Sequence, residues 1–482
     1  MSDAGRRPLP NSTLSHRYVS IPTIYPTPNI YPTPKQPLDM KLEVGFSRTE
    51  SGLERTIQIG DRSYESLISL AAAPKSDSDH LSAWWHAYLR NDRPDARNDS
   101  GELKVAELFC GPGGLAQGVK HFCDEVGLKF RSVAAADTDA DAVSVYSANH
   151  GTPREGMRAG PQGDSAELVS YEVSGTFDNS RFPVRPELLD PGWEKLVGGV
   201  DLLLAGPPCQ GHSNLNNHTR RNDRRNGHYL DVPALAVALD CPAVIIENVP
   251  AVQWSHEEVV ARAEALFRSE GYEVKTGVMG AHKMGWPQRR SRFFMVATRE
   301  APPICLDKIS EVLKVDEPLD LWWAIGDLED VSGDDGMHRQ PKRSIPNKVR
   351  IDYLFDNHLY DLPDKEGPPS RSAPLTDPKK KAHTYPAVYG RLRKFEVAPT
   401  ITSGFMTNGR GRYVHPTMRR TLNPREAARL QGFPDDYDFE PDGKRPDSFQ
   451  LLKWIGDAVP MPLGYAAALS ALGERLSGPS GP

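Results

Sequence analysis

KVAELFCGPGGLAQGVKHFCDEVGLKFRSVAAAD, residues 104–137, passes from a short apolar run through a glycine turn into a helix-length segment and a second apolar run. KVAELF is too short for a helix and reads as a buried strand. GLAQGVKHFCDEV has helical length and meets a stop at Gly127, and RSVAAAD is strand-like again and ends on Asp137. DADAVSVYSANHG, residues 139–151, is helical in period and stops at Gly151. Strand, helix, strand, helix predicts a parallel sheet with helical crossovers. The alternation resumes in VDLLLAG (200–206), CPAVIIEN (241–248), SHEEVVARAEALFRSEG (255–271), YEVKTGVM (272–279) and RFFMVAT (292–298). Ser255 and Glu258 predict a capping box, and Gly271 a helix stop. The expected fold is α/β, a doubly wound sheet over residues 101–298.

The flanks read differently. Residues 1–40 are rich in Pro, Ser and Thr, with IYPTP at Ile24 and again at Ile30, a composition that favours extended chain over a buried core. Residues 41–100 carry weak signals of order, LERTIQIG and HLSAWWHAYL, and are expected to form a small appendage of unread role. Residues 299–420 hold many prolines and charges without a sustained period and predict a second, loop-rich domain. NPREAARLQGF and PLGYAAALSALGERL, within 421–482, are helical again.

With 482 residues, 38% of them hydrophobic and 25% charged, the chain can bury a sizeable core. No uninterrupted apolar run of membrane-spanning length occurs, and MSDAGRRPLPNSTLSH lacks the apolar stretch of an export signal, so a cytoplasmic protein without a membrane partner is expected. The five cysteines form no C-x-x-C pair, which argues against a disulfide framework or a structural metal site. A net charge of -6 weighs against a uniformly basic nucleic-acid binder, yet basic clusters stand out: HTRRNDRRNGH (218–228), PQRRSR, KKK (379–381), GRLRK, GRGR and Arg419–Arg420.

Three stretches carry chemistry. ELFCGPGG places a glycine turn after the first strand, with Asp137 closing the second, the arrangement by which an α/β sheet approaches a nucleotide and holds ribose hydroxyls. The dinucleotide fingerprint G-x-G-x-x-G is missing, so a dehydrogenase is not indicated. GPPCQ ends another strand in a stiff Pro207-Pro208 pair and presents Cys209 at the carboxyl edge of the sheet, where nearby arginines favour thiolate. VIIENVP ends a third with Glu247, a carboxyl that could hold and deliver a proton. In WPQRRSRFFMV the alternate residues Gln288, Arg290 and Arg292 share one strand face and could hold a base carbonyl or a phosphate.

ELFCGPGG, GPPCQ, ENV, QRRSR, RTLNPREAARLQGFPD and IGDAVP, in this order, resemble the cytosine-C5 DNA methyltransferases, in particular those of bacterial restriction-modification systems. The resemblance covers roughly residues 104–468 and implies a Rossmann-like methyltransferase fold with a smaller target-recognition domain at 299–420. It implies S-adenosyl-L-methionine as cofactor and double-stranded DNA as substrate, with a cognate restriction endonuclease as a partner and a monomeric enzyme. Cys209 matches the nucleophile that attacks C6 of cytosine, Glu247 the acid at N3, and Arg292 with Arg290 the groups at the base oxygen. Phe109, Gly111, Gly113, Gly114 and Leu115 match the turn under the methionine end, Asp137 the ribose carboxylate and Asp164 the adenine contact; Thr138, Pro207 and Ala458 complete the implied cofactor set. The target base must be flipped from the duplex, and the arginine-bearing loop after Cys209 resembles the family's mobile catalytic loop. Two departures stand out: an insertion over residues 169–193, and Asp457 where the family usually has Asn. The nearest rival is a transfer-RNA cytosine methyltransferase, and a rival from another class is a non-catalytic DNA-binding protein.

Overall fold

The computed structural model describes residues 40–69, 80–208, 227–255, 257–329, 331, 333, 336–363 and 388–478. The Pro-rich start, Cys209 with Arg220, Arg221, Arg224 and Arg225, and the Lys379–Lys381 cluster lie outside the described residues.

The weakly patterned segment before the first predicted strand is a four-stranded antiparallel sheet, β1 (Leu42–Thr49), β2 (Gly52–Ile59), β3 (Arg62–Ile68) and β4 (Asp95–Ala96), with α1 (His80–Leu89) between its last two strands. In β2 every second side chain from Leu53 to Ile59 is buried, as a sheet with one covered face requires.

The central sheet has seven strands. β5 (Glu102–Leu108), α2 (Gly114–Val126), β6 (Lys129–Asp137) and α3 (Ala140–His150) follow the predicted alternation closely, and a further short strand, β7 (Met157–Ala159), was not anticipated. The segment expected as an insertion forms a small antiparallel pair, β8 (Val169–Ser170) with β9 (Glu187–Leu188), and a short α4 (Pro191–Glu194). Then come β10 (Leu202–Ala205), α5 (His228–Leu239), β11 (Ala243–Asn248), α6 (Val259–Ser269), β12 (Glu273–Gly280), the two-residue β13 (Gln288–Arg289) and β14 (Ser291–Thr298). The sheet order is β12-β14-β11-β10-β5-β6-β7.

Two expectations change here. The sheet is mixed rather than wholly parallel, because β14 runs antiparallel to both β11 and β12. Only a short connection joins β12 to β14, with Gly280 paired to Ser291, and a parallel return would need a crossover of a dozen or more residues. The capping box at α6 does not form: Glu258 sits in the left-handed region at φ 49°, and the Ser255 hydroxyl accepts from the Val259 amide at 3.1 Å.

After the sheet come α7 (Leu306–Val312), α8 (Leu321–Ile325), α9 (Ile345–Asp356) and β15 (Ala398–Pro399), then α10 (Pro424–Gln431), α11 (Ser448–Asp457) and α12 (Met461–Leu476). A small core of Ile351, Leu354, Leu362, Val388, Tyr389 and Val414 lies within the loop-rich region. The last helix returns to the start of the central sheet: α12 packs along α2, where a Cβ on Gly118 would come within 2.3 Å of the Met461 carbonyl oxygen and 2.7 Å of Gly464 Cα. Only glycine allows that approach.

The N-terminal sheet is tied to this helix pair by a buried charge. Arg55 of β2 donates to Glu125 of α2 at 2.7 Å, and Trp84 and Tyr465 donate to the same carboxylate at 2.9 Å and 2.6 Å. Burial alone would raise the Glu125 pKa, but Arg55 and His121 outweigh it and hold the carboxyl below its ordinary value. A lowered carboxyl stabilises the fold above its unfolded pKa, and that contribution fades as pH falls through the folded value. Glu125→Ala would leave Arg55 buried without its counter-charge and is expected to lower the unfolding free energy by about 3–5 kcal/mol. Urea unfolding at pH 7 measures it, and a loss below about 1 kcal/mol would mean the ion pair is not holding the N-terminal sheet in place.

Candidate active site

A cavity of about 380 Å³ opens at the carboxyl ends of β5, β6, β10 and β11. The antiparallel course of β14 matters here, since it brings the start of that strand, with Arg290 and Arg292, to the same edge.

The floor is the turn after β5. Phe109 lines the cavity at φ 54°, a left-handed conformation that costs a non-glycine residue about 1–2 kcal/mol and so marks a place where the backbone is forced to turn. Gly113 at φ 95° starts α2, and a Cβ there would come within 2.4 Å of His150. Asp137 at the end of β6 accepts from the Gly111 amide at 2.9 Å and the Asp139 amide at 2.8 Å, which fixes its carboxylate on the wall. Burial raises its pKa, and the Asp139 and Gly111 amides offset only part of that rise. Each carboxylate oxygen keeps a second acceptor site that a pair of hydroxyls could use. Thr138, Gly111, Gly114, Leu115, Pro207 and Ala458 also line the cavity.

Across from that turn stand Glu247 and Arg292, joined by an ion pair of 2.7 Å from Arg292 Nε to Glu247 Oε1. Burial raises the Glu247 pKa, while Arg292 and then Arg290 lower it, and burial wins. The next residue, Asn248, donates to the Pro207 carbonyl at 3.2 Å and so ties the end of β11 to the Pro-Pro pair that precedes Cys209. Cys209 itself lies outside the described residues. Of the other four cysteines, Cys110, Cys123 and Cys241 are buried and held as thiols by burial, Cys241 with a pKa pushed up to about 12. Cys305 is exposed and does not line the cavity.

Not every anticipated residue arrives there. Asp164 is absent from the cavity wall; its carboxylate accepts from the Ala166 amide at 3.1 Å and lies 3.8 Å from His228 Nδ1. Gln288 is fully buried and spent internally, donating to Leu430 O and Gln431 Oε1 and accepting from the Ile401 amide, so it cannot face a base. Arg290 reaches the cavity but uses its guanidinium on the carbonyls of Ile401, Gly456 and Asp457, which clamps three chain segments together. The basic clusters of 390–420 are also partly consumed: Arg391 stacks 3.9 Å over Phe355, and Arg419 pairs with Asp352 and Asp356.

Two wall residues lie outside the motifs. Lys453 and Trp454 enter from α11, directly before IGDAVP, and Trp454 donates to Asp139 at 2.9 Å. Asp457 lines the cavity, and burial raises its pKa against the pull of Lys453. Glu107, the acid that opens ELFCGPGG, is buried in the wall as well. The helical spacing from Lys453 to Asp457 was the one available signal for the first two.

The C-5 cytosine-specific DNA methylase family matches residues 184–472. The chain is 35% identical over 388 residues to the Type II methyltransferase M1.BsuMI of Bacillus subtilis (strain 168), covering 80% of this chain and 84% of that one. It is 26% identical over 381 residues to the Type II methylase M.HgiDII of Herpetosiphon aurantiacus, covering 76% and 94%. It is 25% identical over 415 residues to the Type II methyltransferase M.DdeI of Desulfomicrobium norvegicum, covering 78% and 88%. A mixed α/β sheet with its cavity at the strand ends, and a family match across more than half its length, make this chain a member of the C-5 cytosine-specific DNA methylase family, a DNA (cytosine-5)-methyltransferase.

Proposed function

We propose that the enzyme methylates a flipped cytosine in duplex DNA through a covalent adduct with Cys209, and that it protects host DNA as the monomeric modification partner of a restriction endonuclease. The observation that carries this reading is the Glu247–Arg292 pair on the cavity wall, held against the Pro207-Pro208 segment that leads into Cys209.

S-Adenosyl-L-methionine supplies an electrophilic methyl group when bound in the cavity. The turn from Phe109 to Leu115 fits its methionine end, and the Asp137 carboxylate fits the ribose hydroxyls. Cytosine C5 is a weak nucleophile, so the Cys209 thiolate adds to C6 while the Glu247 carboxyl holds a proton at N3, which gives C5 enamine character. Arg292 orients Glu247 and contributes positive charge where the base oxygen would lie. After methyl transfer, loss of the C5 proton to a base and departure of the thiolate from C6 restore the aromatic ring. Extruding the base from the stack costs a few kcal/mol, and the arginines of 220–225 are suited to closing on the phosphates around it. Residues 299–420 would read the sequence, and the relatives named as Type II enzymes support the protective role.

A duplex carrying 5-fluorocytosine at the target position cannot lose its C5 substituent as a cation, so the adduct stalls. Wild-type protein with S-adenosyl-L-methionine is expected to shift to a DNA-bound band on a denaturing gel, and Cys209→Ser to give none; a band of equal intensity from Cys209→Ser would exclude this nucleophile. Glu247→Gln keeps the shape but cannot deliver a proton, and single-turnover methylation is expected to fall about 10²–10⁴-fold with DNA affinity preserved. A loss within threefold would assign the proton at N3 to another group.

A further inference from the structure

The chain from Thr400 to Arg412 is fastened behind the cavity wall and presents one uncommitted cation. Arg290 and Gln288 bind the carbonyl and the amide of Ile401, and the hydroxyls of Thr402 and Tyr413 bond at 2.9 Å. A Cβ on Gly456 would come within 2.2 Å of the Ser403 nitrogen. Beyond Ser403 the backbone turns repeatedly, with Phe405 N bonded to Thr402 O, Thr407 N to Gly404 O and Arg410 N to Thr407 O. Phe405, Met406 and Asn408 are buried, whereas Thr407 and Arg410 are exposed. The stem of Arg410 lies against Gly404, where a Cβ would be 2.6 Å from Arg410 Cβ and 3.0 Å from its Cδ. Arg410 follows Ser403 by seven positions. The two are therefore no more than about 25 Å apart, the rise of about seven base pairs.

The other arginines from Arg391 to Arg429 are spent inside the protein. Arg391 and Arg419 are held as described above. Arg412 and Arg425 donate to the carbonyls of Tyr360 and Pro434, and Arg393, Arg420 and Arg429 pair with Glu396, Glu426 and Asp435. The Arg410 guanidinium makes no hydrogen bond, ion pair or ring contact among the described residues.

We propose that Arg410 is a specificity-determining residue, whose guanidinium donates to both O6 and N7 of a guanine in the recognition sequence. This rests on residues 299–420 being the segment that reads DNA, as proposed above. Guanine alone presents two acceptors side by side in the major groove, and the arginine fork matches them. A phosphate contact needs only the charge. Packing of the stem on Gly404 restricts the direction of the side chain and lowers the rotamer entropy lost on binding, which serves a directional contact.

Methylation by the full chain of a duplex library randomised around a fixed cytosine, read by bisulfite sequencing, tests this assignment. The wild type is expected to require guanine at one position, and Arg410→Ala to lose that preference by about 5- to 150-fold while keeping the rest of the recognised sequence. Arg410→Lys keeps the charge and loses the fork, so the same position is expected to relax while the salt dependence of DNA binding is retained. Arg410 has no partner within the described protein to lose, and both variants are expected to melt with the wild type. An unchanged preference in Arg410→Ala, with affinity falling equally on all sequences and a salt slope shallower by about one, would make Arg410 a phosphate contact and overturn the inference. A guanine preference preserved in full by Arg410→Lys would overturn it as well. Methylation without sequence preference by the wild type, or none, would overturn the reading of residues 299–420 and this inference with it.

Discussion

The contact between α2 and α12 is the constraint on which the site depends. Gly118 and Gly464 face each other so closely that a Cβ on either would strike the other helix, and a Cβ on Gly114 would lie 2.8 Å from the Val459 carbonyl oxygen. Those approaches bring the far end of the chain against the turn that follows β5. They seat Ala458 and Asp457 in the same wall as Phe109 and Gly111. Arg290 completes the closure by binding the carbonyls of Ile401, Gly456 and Asp457, so a residue that looks like a substrate contact in sequence also acts as a clamp. Packing of this kind leaves no room for side-chain growth, and a lost methylene or an added one is felt directly.

Four carboxyls on the cavity wall, Glu107, Asp137, Glu247 and Asp457, are pushed upward by burial and are held differently. Glu247 has arginines beside it that offset burial, and it keeps a fixed geometry through Arg292. Glu107 has no cation among its described neighbours. An acid poised beside a positive group can hold a proton and give it to a ring nitrogen. Environments that separate two similar groups are how a single site assigns them separate tasks.

How much of this could be read from the sequence follows the range of each interaction. The strand, turn and helix of residues 104–137 are local, and their boundaries in the structure match the apolar runs and the Gly127 stop to within a few residues. The placement of Cys209 next to the Pro-Pro pair, and of Glu247 at a strand end, rests on short motifs that also read locally. The direction of β14 does not, since it depends on what the ten residues before it can span. Gln288 alternates with Arg290 and Arg292 yet turns inward, because Leu430, Gln431 and Ile401 compete for it across more than a hundred residues of chain. Arg55 and Glu125 are seventy positions apart and neither belongs to a motif, so the buried pair that fastens the N-terminal sheet left no trace in sequence. Trp454 and Lys453 were hidden in the same way, beside a motif whose centre drew attention one turn downstream.

Cytosine C5 in DNA, modified through Cys209, is the chemistry to which the proposed site is fitted. Bisulfite sequencing of genomic DNA from a methylation-deficient host, expressing either the intact chain or Cys209→Ser, tests that claim most directly. Cytosines within one short sequence are expected to resist conversion only when Cys209 is present. Full conversion at every site in cells making folded protein, or resistance that survives the Cys209→Ser substitution, would contradict it.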